Sequence, residues 1–252
     1  MFISRLFRNI YTLPEEREME KAGKGPVRSV LFDMDNTLFN FIHAQQAACR
    51  AVLLHCGDGS DPEALFAYFR RPVHGFEDYG NIRDFLRDRD AFSARLFAEC
   101  CGIYEEEKVA AVTPYPGIRA ILESLERKGI PLGIITDAES GQAARRLEKA
   151  GLAPFFRTVV TPDRSGARKP DPRPFLLALR ELEASPRQCA LIGDSIRRDI
   201  LPAQKIGMVT VYAQYGDGYR ADSTVSCLPD YTAGTVAEME RVLAGMTGYL
   251  QE

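Results

Sequence analysis

Two carboxylates stand two residues apart in Asp33-Met34-Asp35-Asn36-Thr37, immediately after the apolar run Val27–Phe32. Where a chain leaves strand geometry, side chains at i and i+2 can both reach the crevice at the carboxyl edge of a parallel sheet. One carboxylate can then attack as a nucleophile while the other protonates a leaving oxygen and later takes a proton from water. The same five residues are also good composition for a solvated acidic turn, so this motif by itself divides between the two readings.

Three more segments put reactive side chains in equivalent places. Ile134-Ile135-Thr136-Asp137 closes a second apolar run with a hydroxyl that can hydrogen-bond a phosphoryl oxygen, or simply cap a helix. Lys169-Pro170-Asp171 follows a third run; a lysine there can neutralise a nucleophile and a transferring group, although any isolated lysine is by default a surface one. Gly193-Asp194-Ser195 closes a fourth run, with Asp199 five residues beyond Asp194. Oxygen-only donors of this kind suit a hard, octahedral Mg2+, and they also suit the N-cap of a following helix. Each signal is modest. Their common placement, just past the ends of four separate strands, is where a parallel sheet gathers an active site.

The elements that must hold these residues are legible from periodicity. Val27–Phe32, Ile130–Thr136, Arg157–Thr161, Cys189–Gly193 and Met208–Ala213 are short, nearly continuous apolar runs, as expected of strands covered on both faces. Between them lie helical stripes: Ile118, Ile121, Leu122 and Leu125; Ala143, Leu147 and Ala150; Phe175, Leu176, Leu179 and Leu182; and Val236, Met239, Leu243 and Met246. Strands alternating with helices predict an α/β fold with a parallel sheet and right-handed crossovers. One interval breaks the alternation. From about Phe39 to Val112 only helical patterns occur, over His43–Cys56, Pro62–Arg71, a long stretch around Ile82–Cys101, and Tyr104–Val112. The simplest account is a helical domain inserted after the first strand, entered near Leu38–Phe41 and left near Thr113–Gly117.

Composition narrows the class. The chain has 252 residues, 45% of them apolar and 27% charged, and a formal net charge of -3. With no basic excess it is not expected to bind nucleic acid, and no apolar run is long enough for a membrane span. The six cysteines include no C-x-x-C pair, which fits free thiols in a reducing cytoplasm. Residues 1–26 read as an N-terminal extension with no secretory signal, and Met19 is an alternative start.

In order, Asp33–Thr37, Thr136, Lys169-Pro170 and Gly193–Asp199 resemble the motif set of the haloacid dehalogenase superfamily, in its phosphatase branch. The resemblance covers roughly Val27 to Glu240. It implies a Rossmann-like core of 27–38 and 113–252 with helices on both faces, and a helical cap over 39–112. It also implies that Asp33 is the nucleophile and a magnesium ligand, and that Asp35 is the general acid and base, with its carbonyl a second ligand. Thr136 and Lys169 would hold and neutralise the phosphoryl group, with Asp137 beside them. Asp194 and Asp199 would complete the metal's surroundings. Where many relatives carry Asp-Ser, this chain has Asn40-Phe41 at the cap entrance. The implied reaction is Mg2+-dependent hydrolysis of a small phosphorylated metabolite through an aspartyl-phosphate, by a cytoplasmic monomer or homodimer. A 2-haloacid dehalogenase or phosphomutase on the same fold, or a non-enzymatic phospho-ligand-binding protein, are the alternatives. Asp35 weighs against the dehalogenase, because a departing halide needs no proton. Cap residues His43, Arg50, Arg70, Arg71, His74 and Tyr79 are candidates for meeting the leaving group, although for each of them separately a solvated helix face or a side chain packed inside the cap is the simpler account.

Overall fold

The computed structural model describes residues 26–218 and 228–247. The expected extension up to residue 25, with the alternative start at Met19, lies outside the described residues, as does Cys227. The described residues form two compact units, 26–37 with 117–140, 155–218 and 228–247, and 38–116 with 141–154.

The first unit is built on a six-stranded, all-parallel sheet in the order β3-β2-β1-β4-β5-β6. Its strands are β1 (Ser29–Phe32), β2 (Leu132–Ile135), β3 (Thr158–Val160), β4 (Cys189–Gly193), β5 (Val209–Ala213) and β6 (Tyr231–Ala233). Every residue of β1, β2 and β4 is buried, which is why their sequences are apolar runs without alternation. Strand β6 has no counterpart among the apolar runs of the sequence: three residues are too few for a period to register. It is docked by Asp230, whose carboxylate accepts from the backbone N–H of Thr210 at 2.9 Å and from its hydroxyl at 3.0 Å.

Helices lie on both faces of the sheet. Helix α5 (Ile118–Arg127) starts after Gly117, held at φ 95, and buries Ile118, Ile121, Leu122 and Leu125. Helix α8 (Pro172–Glu181) is capped by the Asp171 carboxylate, which accepts from the Arg173 N–H at 2.9 Å, and has Pro172 in its first turn. It packs Phe175, Ala178 and Leu179 against Leu31, Val160 and Leu191. The shorter α7 (Pro162–Ser165) and α9 (Leu201–Lys205), and the last helix α10 (Val236–Thr247), complete the unit. Among the described residues no helix is long and apolar enough to cross a membrane.

The second unit carries α1 (Phe41–His55), α2 (Glu63–Phe69), α3 (Gly80–Asp88), α4 (Ala94–Ala110) and most of α6 (Ser140–Ala150). The sequence suggests one long helix around Ile82–Cys101 and a separate one from Tyr104. The structure breaks the chain earlier and then runs uninterrupted from Ala94 to Ala110. The break lies where Asp90 takes a left-handed backbone (φ 53) and Ser93 caps α4 by accepting from the Leu96 N–H at 3.1 Å. Apolar spacing carries no record of either event. Entry and exit of this unit are paired: Phe39 bridges Pro114, and the Tyr115 N–H donates to the Leu38 carbonyl at 3.0 Å.

Gly141–Pro154 groups with the helical unit, and Arg146 accounts for it. This side chain is fully buried, donates to Glu77, and lies 3.9 Å over the Phe41 ring. Lys108, equally buried, donates to the same Glu77 oxygen at 2.9 Å and to Glu105 at 2.6 Å. Removing one partner from a buried ion network leaves charge uncompensated, at a cost of about 3–5 kcal/mol. Glu77→Ala is therefore expected to lower the thermal midpoint by several degrees, with Lys108→Met costing less because it removes a charge together with its desolvation. Equal midpoints for wild type and Glu77→Ala in a calorimetric scan would show that the network contributes nothing.

Candidate active site

Strand order fixes where the chemistry collects. β1 lies between β2 and β4, the point at which the connections change direction, and parallel sheets bind ligands beyond the carboxyl ends at such a point. Phe32 pairs with Ile192 on one side and Ile134 on the other, so the residues just past each strand emerge side by side. The Asp33 N–H still donates to the Ile192 carbonyl at 2.8 Å, and the Thr136 N–H to that of Val160 at 3.0 Å. Asp33, Thr136, Lys169, Asp194 and Asp199 are all buried, while Asp35 and Asp137 are half-buried.

After Asp33 the chain turns sharply, with Asn36 in a left-handed conformation (φ 60). The turn brings the Thr37 hydroxyl back to donate to Asp33 Oδ2 at 3.1 Å. Tyr215, beyond β5, holds the turn by donating its hydroxyl to the Thr37 carbonyl at 2.8 Å. A Cβ on the neighbouring Gly216 would fall onto the Asn36 carbonyl and stand 3.2 Å from the Asp194 Cβ, so only glycine fits. Tyr215 and Gly216 escape sequence reasoning; their one signal is position, just past the end of the fifth strand.

The loop after β4 closes through a wide π-type turn over Ile196–Ile200. That turn returns Asp199 to its starting point, where its Oδ2 accepts from the Ser195 N–H at 3.1 Å. A Cβ on Gly193 would come within 2.6 Å of the Asp199 side chain, so the glycine makes room for this carboxylate. Lys169 Nζ bridges the two loops, donating to Asp33 Oδ1 at 2.5 Å and to Asp199 Oδ1 at 2.6 Å. Burial opposes the charge on Lys169, but Asp199, Asp33 and Asp137 outweigh it and hold the ammonium above the ordinary lysine range.

Asp137 does not present a free carboxylate to a ligand. Its Oδ1 accepts from the Lys169 backbone N–H at 2.9 Å and its Oδ2 from Arg198 at 3.3 Å, so it ties the second, third and fourth loops together. Arg168 donates to its carbonyl and to Glu139. Thr136 accepts from the Ala138 N–H at 3.1 Å, which leaves its hydroxyl proton to donate elsewhere. His43, Arg70 and Arg71 belong to the helical unit and are not among the residues the sheet gathers. Arg70 pairs with Glu63 there, and Arg71 and His74 share Asp84 at 3.1 and 2.8 Å.

Asp33, Asp194 and Asp199 each offer a carboxylate oxygen, with these atoms all within 4.8 Å of one another. Burial first, and then Asp33 and Asp199, push the Asp194 carboxyl well above the usual carboxylate range. Its Oδ1 is buried without a hydrogen-bond partner among the described residues. Like charges packed together, one buried oxygen unsatisfied and oxygen donors only: this set fits a hard divalent cation.

Residues 30–213 match the model of the haloacid dehalogenase-like hydrolases. The chain belongs to that family. It is 26% identical to the glyceraldehyde 3-phosphate phosphatase of Methanocaldococcus jannaschii, over 81% of this chain and 95% of that protein. It is 32% identical to the phosphoglycolate phosphatase of Rhodospirillum rubrum, over 75% of this chain and 80% of that protein. Among solved structures, the hydrolase YfnB of Bacillus subtilis, bound to magnesium, superposes with a TM-score of 0.68 at 21% identity, covering 86% of this chain and 99% of that one. Within the haloacid dehalogenase-like family this chain stands in the phosphatase branch, as a phosphoric monoester hydrolase.

Proposed function

We propose that this chain hydrolyses the phosphomonoester of a small metabolite with Mg2+ as cofactor, by way of an aspartyl-phosphate, an acyl phosphate on Asp33. The observation that carries the reading is the position of Lys169 Nζ between Asp33 and Asp199, in a buried cluster that also holds Asp194. A carboxylate and a phosphate dianion repel each other, and a fixed ammonium on the attacking group lowers that cost. Asp33 attacks phosphorus, the bond to the ester oxygen breaks, and Asp35 donates a proton to the departing oxygen. Asp35 then takes a proton from water as that water attacks the phosphorus of the acyl phosphate; the bond from phosphorus to the Asp33 oxygen breaks, releasing inorganic phosphate and restoring Asp33. Thr136 and Lys169 bind phosphoryl oxygens, and Asp137 positions Lys169 through its backbone. Asp33, Asp194 and Asp199, with the Asp35 carbonyl, would hold Mg2+, which when bound supplies charge compensation for the incoming dianion.

Asp35 favours this reading over haloacid chemistry, because only an ester oxygen needs an acid on departure. The substrates named for the relatives are compact phosphate esters, so a panel of two- to six-carbon sugar and acid phosphates is the first test, together with a nucleoside monophosphate. Release of phosphate should require Mg2+ and stop with excess EDTA; undiminished turnover in EDTA would end the proposal. The free thiols Cys49, Cys56, Cys100, Cys101 and Cys189 fit a reducing compartment, and the cytoplasm is the location we propose.

Metal binding should also be visible in stability. A carboxyl whose folded proton affinity lies above its unfolded value stabilises the fold only while protonated. The contribution is full below the unfolded value of about 3.9 and is lost as pH rises through the folded one. Asp194 and Asp199 are both shifted upward, chiefly by burial. The metal-free protein should therefore lose thermal stability as pH rises above the ordinary carboxylate range. Saturating Mg2+ should restore it, by an increment that grows with pH as protons stop competing for the site. Scanning calorimetry with and without Mg2+ across that range tests this; an increment independent of pH would be inconsistent with these two carboxyls as the site.

A further inference from the structure

The helical unit contains a second reactive pair, of a different kind. Cys56 Sγ and Cys100 Sγ stand 3.6 Å apart, on α1's C-terminal cap and in the middle of α4. The residues just before them are also matched: His55 Nε2 lies 3.0 Å from Glu99 Oε2. Two successive contacts between the same helices fix their register, so the sulfur contact belongs to the packing rather than to one loose rotamer. We infer that Cys56 and Cys100 are a reversible oxidation site, converted to a disulfide by a peroxide-class oxidant and restored by a dithiol.

The two thiols are placed for different roles. Cys56 is half-buried and so accessible to a small oxidant, whereas Cys100 is fully buried. In the first step the Cys56 sulfur attacks one oxygen of hydrogen peroxide; the O–O bond breaks, giving the sulfenic acid and water. In the second, the Cys100 sulfur attacks the Cys56 sulfur. The S–O bond breaks, and the departing hydroxide leaves as water with the Cys100 proton. Two thiols and one peroxide thus become one disulfide and two waters.

Closing the bond requires an approach of about 1.5 Å, from the observed contact to the roughly 2.05 Å of a disulfide. The compliance is on the Cys56 side. Cys56 ends its helix, and Gly57 follows in a left-handed conformation (φ 68) with open space around it. Cys100, fully buried in one apolar core with Phe69, Phe85 and Tyr104, stays where it is. Burial pushes the Cys100 thiol up to about 12, and Cys101 beside it to about 11. The second step should therefore be slow at neutral pH and accelerate as pH rises.

The test uses the full chain, treated with hydrogen peroxide, blocked with an alkylating agent, digested and mapped by mass spectrometry without reduction. The expected result is one dominant cross-link, Cys56 to Cys100, with loss of two hydrogens, formed faster at higher pH and removed by dithiothreitol. Cys101→Ser should retain it. Cys56→Ser, a change at a half-exposed helix end, should abolish it and leave Cys100 alkylated only after unfolding. Closing a loop between residues 44 apart should also raise the thermal midpoint of the oxidised wild type but not of Cys56→Ser. Dominant cross-links through Cys49 or Cys101, or single oxidation of Cys56 without cross-linking, would overturn the assignment.

Discussion

Asp33→Asn should abolish turnover of every phosphate ester, by roughly 10⁴-fold or more, because an amide can neither attack phosphorus nor form the acyl phosphate on which the second step depends. The loss should not come from unfolding. Asp33 raises the proton affinity of both Asp194 and Asp199, so the native site carries mutual repulsion among its carboxylates. Removing the Asp33 charge relieves that repulsion, and Lys169 keeps its bond to Asp199 at 2.6 Å. The lost bond from Lys169 to Asp33 opposes that gain, so the metal-free variant should stay folded and melt close to the wild-type temperature while being inactive. That combination separates a lost nucleophile from a damaged fold. It also predicts weaker Mg2+ binding, read as a smaller thermal increment at saturating metal. Retention of more than about 1% of wild-type kcat/KM would remove Asp33 from the role of nucleophile.

Much of this architecture is written in short-range sequence patterns, and the parts that are not share a cause. Asp33, Thr136, Lys169 and Asp194 are legible because each follows an apolar run that has to be a strand, and parallel strands deliver their carboxyl ends to one edge. Asp199 is harder, since its place depends on the wide turn from Ile196 to Ile200, which no periodicity announces. Tyr215 and Gly216 act on the Asp33 turn across a separation of 178 residues between Tyr215 and Thr37, and nothing local in QYGDG marks them. The carboxylate of Asp137 is spent on the Lys169 backbone and Arg198, partners that no local pattern announces. The break between α3 and α4 rests on one left-handed residue, Asp90, and on the cap at Ser93. The grouping of Arg146 with Lys108, Glu77 and Phe41 illustrates the limit most clearly. The pair Arg145-Arg146 in QAARRLEKA reads as a solvated face, and only the assembled helices reveal that Arg146 is fully buried. Strand-end chemistry is a local property of the chain; long-range polar partners are a property of the packing.

Asp35→Asn should be damaging in a way that depends on the leaving group. The variant keeps Asp33, Lys169, Thr136 and the backbone of the turn, so attack on phosphorus remains geometrically possible. What it lacks is the proton for the departing oxygen and, later, the base for water. An aryl phosphate releases a phenolate that is stable without a proton, so the first step should slow only modestly, by about 10-fold or less. An alkyl phosphate releases a far more basic alkoxide, and its first step should slow by roughly 10²–10⁴-fold. For the aryl ester the second step then becomes limiting, and the acyl phosphate of Asp33 should accumulate. Single-turnover experiments would show a burst of aryl alcohol close to one equivalent of enzyme. Mass spectrometry of the quenched protein would show an added phosphoryl group in the peptide containing Asp33, and the same group should be absent from Asp33→Asn. The pH profile adds a readout that a merely structural role would not move: the limb of the wild-type profile belonging to the acid should vanish in Asp35→Asn with aryl substrates. If aryl and alkyl esters lose the same fraction of activity and no phosphorylated protein is trapped, Asp35 is not the acid and base of this reaction. The half-buried position of Asp35, one residue before the left-handed Asn36, would then serve only to shape the turn.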